Sequence, residues 1–246
     1  MQKKGLIMFS GGLSGDKMVI YAIRLLVFLL IIPIHESAHG LMAKWLGDDT
    51  AKKEGRISLN PFVHLDLAGL VLMLLMGFGW AKPVPVNISN IKHRRAGYAL
   101  VSAAGPLSNI LAAFVGAAIF NTLYYTKTGQ MAVLDSISGA MNTEHNILSA
   151  VLMLLLMFVN INVTLALFNL IPLPPLDGFN LVRAFLPVAA DRWIYAHQRQ
   201  ISTAFILLLL LAANIPEVSE PLIVLIEKVE GLIWSSVEWI IPLVRK

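Results

Sequence analysis

Long apolar runs separated by short polar clusters set the pattern of this chain. Residues 18–46 predict one helix, and its 19–34 stretch is interrupted only by Arg24, close enough to the start for the side chain to snorkel. Residues 65–80 are apolar but bounded by Asp66 and Lys82, and are short for a full crossing. They predict a re-entrant or hairpin element. Residues 96–125 and 147–171 read as a second and a third long span, with a polar linker at 127–146 between them. After a proline-rich turn at 172–175, a short helix is predicted at 178–185 and a further apolar run at 202–213. The tail from 220 to 244 mixes aliphatic residues and Trp with Glu227, Glu230, Ser235 and Glu238 at near-helical spacing, as an amphipathic helix does. The architecture expected is an all-α polytopic membrane protein. It divides into an N-terminal segment (1–17), a three-span core with the re-entrant or hairpin element (18–188), and C-terminal helices, one apolar and one amphipathic (189–246).

Composition agrees with this solvent. With 57% hydrophobic and 14% charged residues and a mean hydropathy of +0.73, the apolar surface exceeds what a single soluble core of 246 residues can hide. No small-residue cleavage site follows the first long run, so that span is expected to be retained. Zero cysteines exclude a disulfide framework and a thiolate metal site. The net charge of +4 could in a soluble protein indicate nucleic acid; here its distribution has a membrane explanation, and no nucleic-acid partner is expected. Loops 44–56, 82–95 and 178–199 hold eleven of the nineteen Lys and Arg, and the linker 127–146 holds one. The positive-inside rule therefore puts the basic loops in the cytoplasm and the N-terminus outside, in a cell membrane of prokaryotic, cytoplasmic type.

The chemistry-bearing feature is His35-Glu36-Ser37-Ala38-His39, inside the first span. On a helix the two imidazoles lie one turn apart on one face and can reach a single metal ion, with Glu36 beside it as a general base. Intramembrane ionisable residues are costly and usually functional. A hydrolytic zinc needs three protein ligands and an open position, which leaves a vacancy that a carboxylate can fill. Asp177, just beyond the third span, reaches the same membrane face. Its setting, Pro172-Leu173-Pro174-Pro175-Leu176-Asp177-Gly178, admits two readings, a surface turn or a broken helix lining a polar cavity. His64 reads as an interfacial loop histidine, His93 and His197 as solvated, and Asp66 as a cap for the short apolar element.

Three separated signatures, His35-Glu36-Ser37-Ala38-His39-Gly40, Gly105-Pro106-Leu107-Ser108-Asn109 and the segment from Asn169 to Gly178, resemble the site-2 protease family of intramembrane zinc metalloproteases. The runs 55–61 and 79–87 resemble its short prokaryotic branch, and the likeness covers about residues 30–185. Leu67 after Asp66 departs from the proline common in similar sequences, which leaves the form of the 65–80 element open. No stretch is long enough for the PDZ or CBS domains the family often carries. The resemblance implies Zn²⁺ held by His35, His39 and Asp177, with Glu36 moving the proton of the attacking water. It also implies a transmembrane-helix protein as substrate, as in regulated intramembrane proteolysis. Asn109 is a candidate donor to the substrate backbone or oxyanion, or else polar glue between spans. A divalent-metal transporter using the same ligands is the alternative function, though it gives Glu36 no task. An inactive helix-binding relative is a third. Oligomeric state is not legible.

Overall fold

The computed structural model describes residues 15–76, 79–138, 143–212 and 216–245. The N-terminal segment expected at 1–17 falls almost wholly outside the described residues, as do short parts of the 65–80 element, of the 127–146 linker and of the 202–213 run. Ten helices are described: α1 (Gly15–Trp45), α2 (Thr50–Lys53), α3 (Leu67–Met76), α4 (Arg94–Tyr124), α5 (Lys127–Ser138), α6 (Thr143–Asn169), α7 (Asp177–Arg183), α8 (Val188–Ala212), α9 (Pro216–Ser236) and α10 (Ile241–Val244). Three are long and apolar enough to cross a membrane, over Ala22–Trp45, Arg94–Tyr124 and His145–Asn169. They are the three expected spans, and the chain is an all-α multi-pass membrane protein.

α4 is the central element, packed against both α1 and α6, and small residues on its surface allow this. Ala113 and Ala117 are fully buried against Val159 and Val163 of α6. The same cluster takes Ile233 of α9 together with Val237 and Ile240 beyond its end, so the amphipathic tail lies on the α4–α6 pair, and the Asn121 side chain donates to the Val237 carbonyl at 3.2 Å. α8 is apolar only in its second half; Asp191, Arg192 and Arg199 occupy the first.

The 65–80 element is a helical excursion that returns to its starting point. Asp66 caps α3, its Oδ1 accepting the Gly69 N–H at 2.9 Å. Leu65 pairs with Ala81 in an antiparallel bridge, and the Lys82 N–H donates to the His64 carbonyl at 2.8 Å. Gly69 is required there: a Cβ would stand 2.0 Å from the Trp80 carbonyl oxygen. The hairpin alternative does not form, because the unbroken apolar run Leu67–Met76 satisfies its own backbone as a helix.

Two local expectations are corrected. The linker 127–146 contains α5, whose Met131, Leu134 and Ile137 recur on one side and remain exposed, so a segment polar on average is locally amphipathic. His64 is fully buried, with its Nε2 2.8 Å from the Ser58 carbonyl. It holds the loop entering the α3 excursion, where an interfacial position was expected.

Candidate metal centre

Antiparallel α1 and α4 meet at two contacts, one turn apart on α1 and two turns apart on α4. His39 Nδ1 lies 2.7 Å from the Val101 carbonyl, and His35 Nδ1 lies 2.6 Å from Asn109 Oδ1. Val101 and Asn109 are separated by two turns of one α4 face, and Gly105 sits between them. Glycine is needed at that point, because a Cβ there would lie 2.4 Å from His39 Nε2 and 2.6 Å from His35 Cε1.

A backbone carbonyl can only accept, so the Val101 contact makes His39 Nδ1 the protonated nitrogen and turns a lone pair outward at Nε2. With Asn109 presenting its oxygen, His35 has the same arrangement. The two Nε2 atoms then stand 3.1 Å apart with no proton for each other unless one ring is charged.

Asp177 completes the group. α6 ends at Asn169, and the chain turns back through short bonds such as Leu173 N–H to the Ile171 carbonyl (2.8 Å) and Leu176 N–H to the Leu173 carbonyl (2.9 Å). Gly178 lets this turn close, since a Cβ would come within 2.2 Å of the Leu170 carbonyl oxygen. Asp177 Oδ2 consequently lies 3.2 Å from His35 Nε2 and 3.4 Å from His39 Nε2. That oxygen is buried and makes no hydrogen bond. The chain between α6 and α7 is a run of turns with Pro172, Leu173 and Pro175 exposed, and Asp177 opens α7 beside the two imidazoles.

The triangle of 3.1, 3.2 and 3.4 Å fits a metal. Donors about 2.0–2.1 Å from a tetrahedral ion stand about 3.3 Å from one another, and two imidazoles with one carboxylate leave a fourth position open for water or substrate. His35, His39 and Asp177 thus form a group that could hold a metal ion. Glu36, next on the helix, accepts the Val84 N–H at 3.0 Å through Oε2, so the catalytic candidate is tethered to the non-helical segment that follows the α3 excursion.

Asn109 of α4 links α1 to α6, as polar glue between spans does. It is fully buried, with its oxygen on His35 and its nitrogen donating to Asn162 Oδ1 at 2.8 Å. The geometry fits a grip on the imidazole better than a donor to substrate.

Two further residues were not found from sequence. Asn162 is fully buried in α6; an amide in the most apolar run of the chain was the available signal. Asp48, also fully buried, accepts from Thr50 N (3.1 Å) and Thr50 Oγ1, from Asn90 Nδ2 (3.0 Å) and from Asn87 N (2.6 Å), and so pins the 87–90 turn under the end of α1. Burial alone would push its pKa up, but these hydrogen bonds hold it below the usual carboxylate value. Sitting among charged loop residues, it gave no sequence signal. Farther out on the basic side, Asp191 pairs with Arg183 (2.6 Å) and Arg95 (3.6 Å), which ties α4, α7 and α8 together.

Fold and site together define a multi-pass membrane protein with the donor set of a metallohydrolase. The model of peptidase family M50 matches residues 23–213, and the chain belongs to that family, the site-2 protease group of zinc metalloproteases. It is 40% identical over 177 residues to the putative zinc metalloprotease YwhC of Bacillus subtilis (strain 168), covering 70% of this chain and 75% of that protein. No solved structure matches the chain. The protein is accordingly a zinc metalloprotease of the membrane.

Proposed function

We propose that the chain is an intramembrane endopeptidase that hydrolyses peptide bonds in or near transmembrane helices of membrane-protein substrates, as in regulated intramembrane proteolysis. The observation that carries this reading is the triangle of His35 Nε2, His39 Nε2 and Asp177 Oδ2, two of its members on a helix long enough to cross a bilayer and the third on the short helix after another, with Glu36 beside His35. His35 and His39 lie about 15 and 9 Å along α1 from its Trp45 end, at 1.5 Å per residue. A hydrocarbon layer is about 30 Å thick, so the site falls in the half facing the basic loops, the cytoplasmic half of a cell membrane by the positive-inside rule.

His35, His39 and Asp177 would hold the zinc, which when bound would supply Lewis-acid polarisation of a water and of the scissile carbonyl. Glu36 takes the proton of the attacking water and returns it to the leaving amine nitrogen. Its bond from Val84 fixes one carboxylate oxygen and leaves the other for the proton. Asn109 orients His35. A helical substrate protects its scissile carbonyl with its own backbone bonds, so local unwinding must precede hydrolysis. The non-helical segment 79–87 meets Glu36 at the Val84 N–H, which supports a role in pairing with the unwound strand.

The deciding experiment uses Glu36→Gln in detergent or proteoliposomes with a single-span substrate. Zinc content should stay at the wild-type level while cleavage falls by at least about 10²-fold, the low end for loss of a general base. Cleavage at the native rate would remove the assignment, and unaltered metal flux across vesicles with no cleavage by either protein would favour the transporter.

A further inference from the structure

The buried amides beside the site form a chain of hydrogen bonds with one direction. At its far end is the Phe158 carbonyl of α6, which can only accept. Asn162 Nδ2 lies 2.8 Å from it, so the Asn162 amide must turn its nitrogen that way and its oxygen toward α4. That oxygen receives Asn109 Nδ2 at 2.8 Å, which turns the Asn109 oxygen to His35 Nδ1 at 2.6 Å. Both asparagines are fully buried, so no water competes for either amide. His39 needs no such device, because its Nδ1 meets the backbone carbonyl of Val101 directly.

We infer that Asn162 is a positioning residue: through Asn109 it fixes His35 in the tautomer whose Nε2 lone pair faces His39 and Asp177. This rests on the zinc-centre reading above. The physical reason is the ambiguity of a carboxamide. Left alone beside an imidazole, Asn109 can present oxygen or nitrogen with nearly the same shape. The second orientation donates to Nδ1 and moves the ring proton to Nε2, where it blocks metal binding. Asn162 removes that choice by offering Asn109 only an acceptor. The polarity of the α6 backbone is thereby transmitted across two helices to a ligand on α1. Partners that orient a metal-bound histidine in this way are worth about 10–100-fold in metal affinity.

Space filling and orientation differ in how they respond to a second change. In Asn109→Asp both side-chain oxygens accept, so the residue cannot point the wrong way and has no use for Asn162. The test is zinc affinity of the full chain in detergent, stripped of metal and titrated with zinc against a chromophoric chelator. Asn162→Leu in the wild-type background should weaken zinc about 10–100-fold. In the Asn109→Asp background the same change should cost less than about twofold, or improve binding by removing an oxygen that faces a carboxylate. Equal losses in both backgrounds would reduce Asn162 to packing and overturn the inference. Asn162→Ala carries the same comparison if the leucine variant does not fold. A second readout is ¹⁵N-histidine NMR of the metal-free protein, with His35 assigned by loss of its signal in His35→Ala. The wild type should show the Nδ1–H form, and Asn162→Leu should show a mixture. A wild-type His35 found as Nε2–H overturns the relay. A wild type that shows Nδ1–H but takes up no zinc supports the relay and defeats the metal reading instead.

Discussion

A Cβ atom placed on Gly105 would stand 2.4 Å from Nε2 of His39. The absence of a side chain on α4 is therefore what lets both imidazoles converge. Gly105→Ala should push the rings apart and weaken zinc by at least about tenfold, on the scale of losing a partner that orients a ligand. Inductively coupled plasma analysis of the purified variant, beside a cleavage assay, checks this; wild-type zinc stoichiometry and affinity would show that α4 yields without cost.

Asp177→Asn keeps the shape but offers a weaker, neutral donor. Zinc retention should fall and cleavage should be lost, while thermal stability of the metal-free protein should change little or rise. The buried Asp177 Oδ2 has no hydrogen-bond donor in the fold itself. Melting temperatures measured with and without zinc separate the two effects.

Treatment with a strong chelator should abolish cleavage, and stoichiometric zinc should restore it. Zinc should also raise the melting temperature of the wild type, because binding to the folded state alone stabilises it by mass action. The Glu36→Gln protein should show the same zinc-dependent shift with no recovery of cleavage. If zinc restores proteolysis to that variant, Glu36 is not the proton carrier.

Asp48→Asn is isosteric yet replaces an acceptor with a donor where four donors already point at the carboxylate. The expected loss is on the order of 3 kcal/mol. Cleavage should fall as well, because release of the 87–90 turn loosens Val84 and with it Glu36. The pKa of Asp48 is lower folded than unfolded, so its contribution is complete above its ordinary value of 3.8 and is lost as pH falls through the folded value. Melting curves of wild type and variant should accordingly differ at pH 7 and draw together in strong acid.

The candidate metal ligands were legible in the sequence because each is costly where it stands: two imidazoles inside a span, and a carboxylate in a proline-rich segment. The three crossings were legible because hydropathy over about twenty residues outweighs local propensity. What escaped were relationships between distant positions. His64 reads as an interfacial loop residue until the closure of Leu65 on Ala81 shows that its side chain is enclosed, although Leu59 and Phe62 of the same loop stay exposed. Asn109 reads either as a donor to substrate or as polar glue until Asn162, 53 residues away, takes its nitrogen. Helix α5 was hidden by Lys127 and Asp135, which lower the average hydropathy of a segment whose apolar residues share a side.

The turn that carries Asp177 follows the third crossing, whereas both imidazoles belong to the first. A nascent chain inserted only as far as α4 would hold two nitrogens and no carboxylate. If these three side chains hold the metal, its site cannot be complete until α6 has been threaded and its end has folded back.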